Sequence, residues 1–110
     1  MEPDLPMLTR DRRHQADDIE RVILSHTAKR NALSEQLLRE LDQTLVAIEA
    51  EQRAKVVILA ADGPVFSAGH DLRELRYGTE PEVAAVFRTC SAVMSRIRSL
   101  SALVIAEVEG

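Results

Sequence analysis

The chain has 110 residues, of which 45% are hydrophobic and only 3% aromatic, and it carries a formal net charge of −4. This length holds one domain and excludes an eight-stranded α/β barrel or a long repeat array. The 18 acidic residues outnumber the 14 basic ones, which argues against a basic surface for nucleic-acid binding.

The apolar pattern alternates between strands and amphipathic helices along the chain. Ser34 is a suitable N-cap for a first helix that runs to about Gln52, and Thr79 has capping-box spacing with Glu82 at the start of a second helix. Three consecutive aliphatic residues predict a strand at Ile19–Leu24, and the apolar runs Val56–Ala60 and Leu103–Ala106 predict buried strands. Strand, helix, strand, helix, strand predicts an α/β fold built from right-handed βαβ units around a parallel sheet.

Residues 1–18 form a polar N-terminal segment ahead of a domain that spans residues 19–110. The basic stretch Arg10–His14 is typical of a solvated tail, and the five acids of the segment suit neither a secretory signal nor a transit peptide. The single cysteine, Cys90, cannot form an internal disulfide, which indicates a reducing compartment. With no apolar run of roughly 18 residues for a membrane span, these features predict a cytoplasmic protein.

The loop after the second strand is the best place for chemistry. Residues 63–72 are rich in small side chains and follow the carboxyl end of a strand, where α/β sheets bind ligands. Asp71 begins a predicted helical turn whose unpaired N–H groups could face an anion or a developing oxyanion. His70 either contacts the reacting group or is an ordinary loop histidine, and Asp71 is either a base or a cap.

Standard motifs are absent around this loop. Ala68 stands where a phosphate-binding P-loop needs its second glycine, and no lysine follows Gly69. The sequence contains no nucleophile elbow around Ser67. The histidines lack metal-ligand spacing, so no metal site is expected.

Two segments and the C-terminal residues nevertheless carry a specific resemblance. Lys29–Ser34, Gly63–Leu75 and Val104–Gly110 are similar, in this order, to the enoyl-CoA hydratase/isomerase (crotonase) family. The resemblance covers Ile19 to Gly110, and the form Ala-Gly-His-Asp-Leu at residues 68–72 is most similar to one branch of bacterial and mitochondrial members. It implies crotonase-like ββα units, of which this chain would be the N-terminal portion.

The resemblance also implies a substrate and a set of site residues. The substrate would be a coenzyme A (CoA) thioester, with no permanently bound cofactor, and the reaction that of a lyase or isomerase of fatty acid metabolism. The backbone N–H of His70 would be one of two donors to the thioester oxygen, the catalytic element of the site. The residues implied in binding CoA are Lys29, Arg30, Ala32, Ala68, Gly69, Asp71, Leu72 and Arg73.

The remaining parts of the family's active site correspond to positions beyond Gly110. The second oxyanion donor and the two catalytic glutamates belong there, and Glu107 and Glu109 are not substitutes because they precede the matching glycine. We therefore expect an acyl-CoA-binding chain that is truncated before the second half of the active site and is itself inactive. The alternatives are a non-catalytic CoA-binding or subunit-assembly module, a truncated gene product, or an unrelated phosphate-binding α/β domain. Full-length members imply a homotrimer or hexamer.

Overall fold

A computed structural model describes residues 7–11, 18–25, 31–63 and 65–108. Its four strands form one mixed sheet in the order β1-β2-β3-β4. Strand β1 pairs antiparallel with β2, whereas β2, β3 and β4 run parallel to one another. The strands are β1 Leu8–Asp11, β2 Ile19–Leu24, β3 Val56–Ala61 and β4 Leu103–Ala106, and the helices are α1 Glu35–Glu51, α2 Leu72–Tyr77 and α3 Glu80–Ser99. The predicted α/β fold is confirmed, and the three predicted strands β2, β3 and β4 form the parallel part of the mixed sheet.

Helix α1 has a favourable cap at its N-terminus. The Ser34 hydroxyl accepts a hydrogen bond from the Leu37 N–H at 3.1 Å, and Glu35 places a negative charge at the positive end of the helix dipole. The helix ends at Glu51, and its C-cap Gln52 has a φ of +51°. Its buried stripe consists of Leu37, Leu38, Leu41, Leu45 and Ile48.

Helix α3 packs against α1, and the two helices share one core with the sheet. The predicted capping box is confirmed, because Thr79 and Glu82 each accept a hydrogen bond from the other's backbone N–H. Val86 and Val93 of α3 are at most 2% exposed and meet Val22 and Val57 of the sheet in the core cluster. Burial of each such side chain stabilises the fold by about 1.5–3 kcal/mol.

Two strands are less buried than their apolar sequences predict. In β4, Leu103 is 63% exposed and Ile105 is 46% exposed, so the prediction of a buried strand is wrong for β4. Strand β4 is the edge of the sheet, and only Val104 among its residues packs against the core. In β3, Val57 and Ala60 are buried and the other positions are partly open, so full cover on both faces is also wrong there.

The N-terminal segment contributes a strand that the sequence analysis missed. The solvated tail predicted for Arg10–His14 is wrong at Arg10 and Asp11, which lie in β1, whereas residues 12–14 fall outside the described residues. Arg10 forms a two-point ion pair with Glu20, whose side chain is only 1% exposed, and its Nη2 lies 2.9 Å from a Glu51 oxygen. These hydrogen bonds, above all those to Glu20, raise the pKa of the Arg10 guanidinium.

Loss of the Arg10 side chain should therefore be costly. Arg10→Ala removes a two-point ion pair from the buried Glu20 carboxylate, and we expect a loss of about 2–3 kcal/mol in the free energy of unfolding. Arg39→Ala breaks an exposed pair with Glu35 one helical turn away and should cost at most about 0.5 kcal/mol. Urea unfolding followed by circular dichroism measures both, and equal losses would contradict the role assigned to Arg10.

Hydrogen bonds between Ser101 and Glu49 connect the turn before β4 to α1. The Glu49 carboxylate accepts hydrogen bonds from the Ser101 hydroxyl at 2.6 Å and from the Ser101 N–H at 3.1 Å. Both bonds favour the ionised carboxylate and hold the pKa of Glu49 below its ordinary value of 4.5, the hydroxyl having the larger effect. The stabilisation that this pKa shift provides is present when the pH is above the ordinary pKa of Glu49, and it is lost as the pH falls through the lowered pKa.

A carboxyl-carbon NMR titration tests this contact. Ser101→Ala should move the pKa of Glu49 upward, toward 4.5, because it deletes the hydroxyl donor. Ser99→Ala is the matched control, since the Ser99 hydroxyl donates instead to the Arg96 carbonyl at 3.3 Å. An unchanged Glu49 titration in Ser101→Ala would rule out the hydroxyl as the main cause.

In the part of the chain that the structure describes, no helix combines the length and the apolar content needed to cross a bilayer.

Candidate functional site

The site forms where the connections after β2 and β3 meet. Leu24 and Ala61, the last residues of these strands, are register partners, so both connections leave the sheet side by side. Asn31, on the first connection, is fully buried with a φ of +53°, and its amide donates to the carbonyls of Asp62 at 3.0 Å and Val65 at 3.3 Å. Asparagine is one of the few residues that adopt this left-handed conformation readily. One side chain thereby fixes both connections.

A chain of short hydrogen bonds continues from Asn31 to Gly69. The Ser67 hydroxyl donates to the Asn31 carbonyl at 2.8 Å and accepts from the Gly69 N–H at 3.1 Å. The Leu33 N–H donates to the Gly69 carbonyl at 2.7 Å. Gly69 has a φ of +87°, which favours glycine although a Cβ there would meet no atom within 4 Å. Backbone conformation, and not space, requires the glycine.

These contacts set the direction of the next backbone N–H. The carbonyl and N–H of a trans peptide point in opposite directions, and the structure contains no cis peptide bond. Because the Gly69 carbonyl points at Leu33, the His70 N–H points away from Leu33. Within the described residues it donates to no other group. The His70 N–H therefore has no acceptor in the described part of the chain.

The cleft has a volume of about 350 Å³ and is lined by Ala32, Ala68, His70, Asp71, Leu72 and Arg73. All six are among the residues that the family resemblance had placed at the site. Gly69 is not a lining residue of the cleft. Its carbonyl accepts a hydrogen bond from Leu33, and its N–H donates one to Ser67. Lys29 and Arg30 lie outside the described residues. The structure thus brings six of the nine candidate residues together around one space.

Asp71 is the N-cap of α2, which decides between the two interpretations of its carboxylate. Its Oδ1 accepts from the Arg73 N–H at 3.0 Å and from the Glu74 N–H at 3.3 Å. Glu74 in turn accepts from the Glu35 N–H at 2.9 Å, which ties α2 to the start of α1. The short helix therefore has a fixed position, and its first residues form one wall of the cleft.

The His70 ring contacts the ring of Phe87 on α3. The imidazole and the Phe87 ring have centroids 5.3 Å apart with an interplanar angle of 64°, an edge-to-face arrangement. The Nδ1 atom of His70 is buried without a hydrogen-bond partner among the described residues. The sequence analysis missed Phe87 as a neighbour of the site, and also the roles of Asn31 and Ser67. An asparagine three residues before the N-cap of the first helix was the one available signal for a left-handed residue.

Other acidic side chains near the sheet are engaged elsewhere. Arg21 Nη2 lies 3.0 and 3.1 Å from the two carboxylate oxygens of Glu107, and Glu109 is outside the described residues. Within the described ranges, no group of three or more His, Cys, Asp or Glu side chains is arranged to hold a metal ion.

Comparison with known proteins identifies the class. Residues 15–110 match the family model for enoyl-CoA hydratase/isomerase, and the chain belongs to that family. Human enoyl-CoA hydratase domain-containing protein 3, a mitochondrial protein, is 44% identical over 97 residues, covering 87% of this chain and 32% of that protein. 4-Chlorobenzoyl coenzyme A dehalogenase-2 of Arthrobacter sp is 35% identical over 72 residues, covering 66% of this chain and 26% of that protein.

Solved structures agree on the fold. The crystal structure of the human protein superimposes with a TM-score of 0.83 at 41% identity, covering 94% of this chain and 40% of that one. An enoyl-CoA hydratase of Mycobacterium smegmatis gives a TM-score of 0.88 at 34% identity, covering 96% of this chain and 41% of that one. The fold is crotonase-like, as expected, and the chain spans about a third of the length of the first curated relatives.

The prediction of a cytoplasmic protein is wrong. Relatives from human, mouse and rat, 41–44% identical to this chain, are mitochondrial proteins. The prediction rested on a lone cysteine and an acidic N-terminal segment. A lone cysteine excludes only an internal disulfide, and it does not separate one reducing compartment from another.

Substitution of Asn31 tests the loop arrangement. Asn31→Gly removes the amide and leaves two carbonyls without their donor, which should cost about 2 kcal/mol in the free energy of unfolding. Asn31→Ala should cost about 1 kcal/mol more, because alanine is strained at positive φ. Urea unfolding compares the two variants, and the His70 backbone amide shift in NMR reports on the cleft. Equal stability of Asn31→Ala and the unsubstituted chain would contradict the role of this side chain.

Proposed function

We propose that this chain binds a CoA thioester in the cleft of Ala32, Ala68 and residues 70–73, with the His70 backbone N–H donating to the thioester oxygen. One observation carries the proposal: the Leu33 hydrogen bond fixes the Gly69–His70 peptide, the N–H of this peptide has no acceptor among the described residues, and His70 lines the cleft. The relatives support the ligand class, since the hydratase and dehalogenase names both specify a CoA compound.

The physical basis is stabilisation of developing negative charge. Attack on a thioester, or removal of a proton beside it, places negative charge on the carbonyl oxygen. A backbone donor that is already fixed stabilises this charge without reorganising, and one such donor is worth about 3–4 kcal/mol in the transition state. The thioester is a substrate in this proposal, and no permanently bound cofactor takes part.

Neither of the two candidate carboxylates among the described residues is placed as an acid or base for hydration. Glu107 is paired with Arg21, and Asp71 is occupied as the cap of α2. We therefore propose that the chain alone binds acyl-CoA without turning it over. The same two observations favour a second candidate function, that of a non-catalytic CoA-binding or subunit-assembly module. A trimer or hexamer remains a prediction.

Calorimetric titration with acetyl-CoA tests the binding site. Arg73 lines the cleft, and Arg73→Gln should weaken binding by about two- to fivefold, the effect of one exposed charge. Arg76→Gln is the matched control, because Arg76 lies over the Tyr77 ring, 5.3 Å from its centroid, and does not line the cleft. An absence of heat at millimolar acetyl-CoA would overturn the proposal and leave the assembly role.

A hydratase assay tests the second part of the proposal. With crotonyl-CoA, loss of the enoyl-thioester absorbance should proceed at the uncatalysed rate when the purified chain is added. Bovine serum albumin at equal concentration serves as the control for nonspecific effects. Robust hydration by the 110 residues would show that an acid/base pair exists within them.

A further inference from the structure

The His70 imidazole carries a polar atom that the proposed function does not use. Nδ1 is buried and has no hydrogen-bond partner within the described residues. Burying a ring nitrogen in this state costs free energy, because the nitrogen gives up its bond to water and gains none in return. A partner that the protein itself does not supply, such as a ligand group in the adjoining cleft, would recover this cost.

The ring is held by packing alone. The ring packs edge-to-face against Phe87, and the Phe87 side chain is itself 48% exposed. A rotation of the imidazole about its side-chain bonds therefore breaks no hydrogen bond among the described residues, and packing contacts such as the one with Phe87 are what resist it. Because His70 is also a lining residue of the cleft, we expect a turn of the ring about its side-chain bonds to be enough to bring Nδ1 to a ligand there.

On the basis of the proposed function, we infer that Nδ1–H of His70 is a second donor to the thioester oxygen. Nδ1 and the backbone N–H belong to the same residue and are only a few covalent bonds apart. A carbonyl oxygen has two lone pairs and accepts two hydrogen bonds. Binding would turn the ring so that Nδ1 leaves its buried position and joins the backbone N–H. In this arrangement His70 donates two hydrogen bonds to the thioester oxygen, one from its backbone N–H and one from Nδ1–H.

This assignment fixes the protonation of the ring. A thioester oxygen only accepts, so the bound form must carry a proton on Nδ1, which in the neutral ring leaves Nε2 unprotonated. The opposite tautomer would make Nδ1 an acceptor, suited to an N–H or hydroxyl of the ligand instead. The two arrangements are distinguishable, because the two ring nitrogens have different NMR shifts in each tautomer.

Long-range proton–nitrogen NMR of the histidine-labelled chain tests the tautomer, with the His70 signals assigned from their loss in His70→Phe. With acetyl-CoA bound, Nδ1 should show the shift of a protonated nitrogen and Nε2 that of an unprotonated one. An unprotonated Nδ1 in the bound state would overturn the inference. It would leave the backbone N–H, and hence the proposed function, unaffected.

A pair of variants tests the contribution to binding. His70→Asn places an amide nitrogen near the position of Nδ1, whereas His70→Phe keeps a ring for Phe87 and has no nitrogen. The measured quantity is the ratio of the dissociation constants of CoA and acetyl-CoA, since CoA has no thioester oxygen and losses common to both ligands cancel. Relative to the unsubstituted chain, the ratio should fall about tenfold in His70→Phe, the effect of one hydrogen bond, and should largely persist in His70→Asn.

The outcomes separate the two proposals. If the unsubstituted chain binds acetyl-CoA and the ratio is the same in all three proteins, the side-chain donor is excluded while the cleft remains a CoA site. If the unsubstituted chain binds neither ligand, the proposed function fails and this inference fails with it. Circular dichroism of both variants confirms that they are folded before the ratios are compared.

Discussion

The pairing of β2 with β3 is the constraint on which the other parts of the site depend. Six residues of each strand lie in parallel register, from Ile19 opposite Val56 to Leu24 opposite Ala61. Parallel pairing brings the two connections out at the same end of the sheet, although they are separated in sequence by all of α1. Neither connection could build the cleft alone. A change in register of one residue would also exchange the buried and open faces of β2.

A second level of order comes from polar groups that bridge these connections. Asn31 is fully buried, and its amide and carbonyl bind backbone and hydroxyl groups of the segment between Asp62 and Ser67. Each of these bonds joins parts of the chain that are more than 30 residues apart, so they depend on the sheet to bring the two connections together. The site is consequently rigid where its backbone matters, while the His70 ring beside it is held only by packing.

The sequence predicted those features that depend on local chemistry or simple periodicity. Ser34, Asp71 and Thr79 were all identifiable as helix caps, because a cap needs only its own side chain and the next turn. Strand β1 was missed because its Leu-Thr-Arg-Asp sequence has no apolar alternation, and its position depends on the pairing of Arg10 with a glutamate on the next strand. The exposure of β4 was missed because an apolar run indicates a strand without showing whether it is central or at an edge. The ring contact with Phe87 depends on how α3 packs, which no local pattern contains.

The donor at residue 70 belongs to the main chain, and this has a consequence for how the site can vary. Of the twenty amino acids, only proline lacks the N–H, so almost any substitution at this position would retain the donor. The conformation that aims it is secured elsewhere, by Gly69 and by the hydrogen bond from Leu33. Side chains at position 70 are thus free to diversify the chemistry of the cleft over evolutionary time, whereas the neighbouring glycine is not free to change.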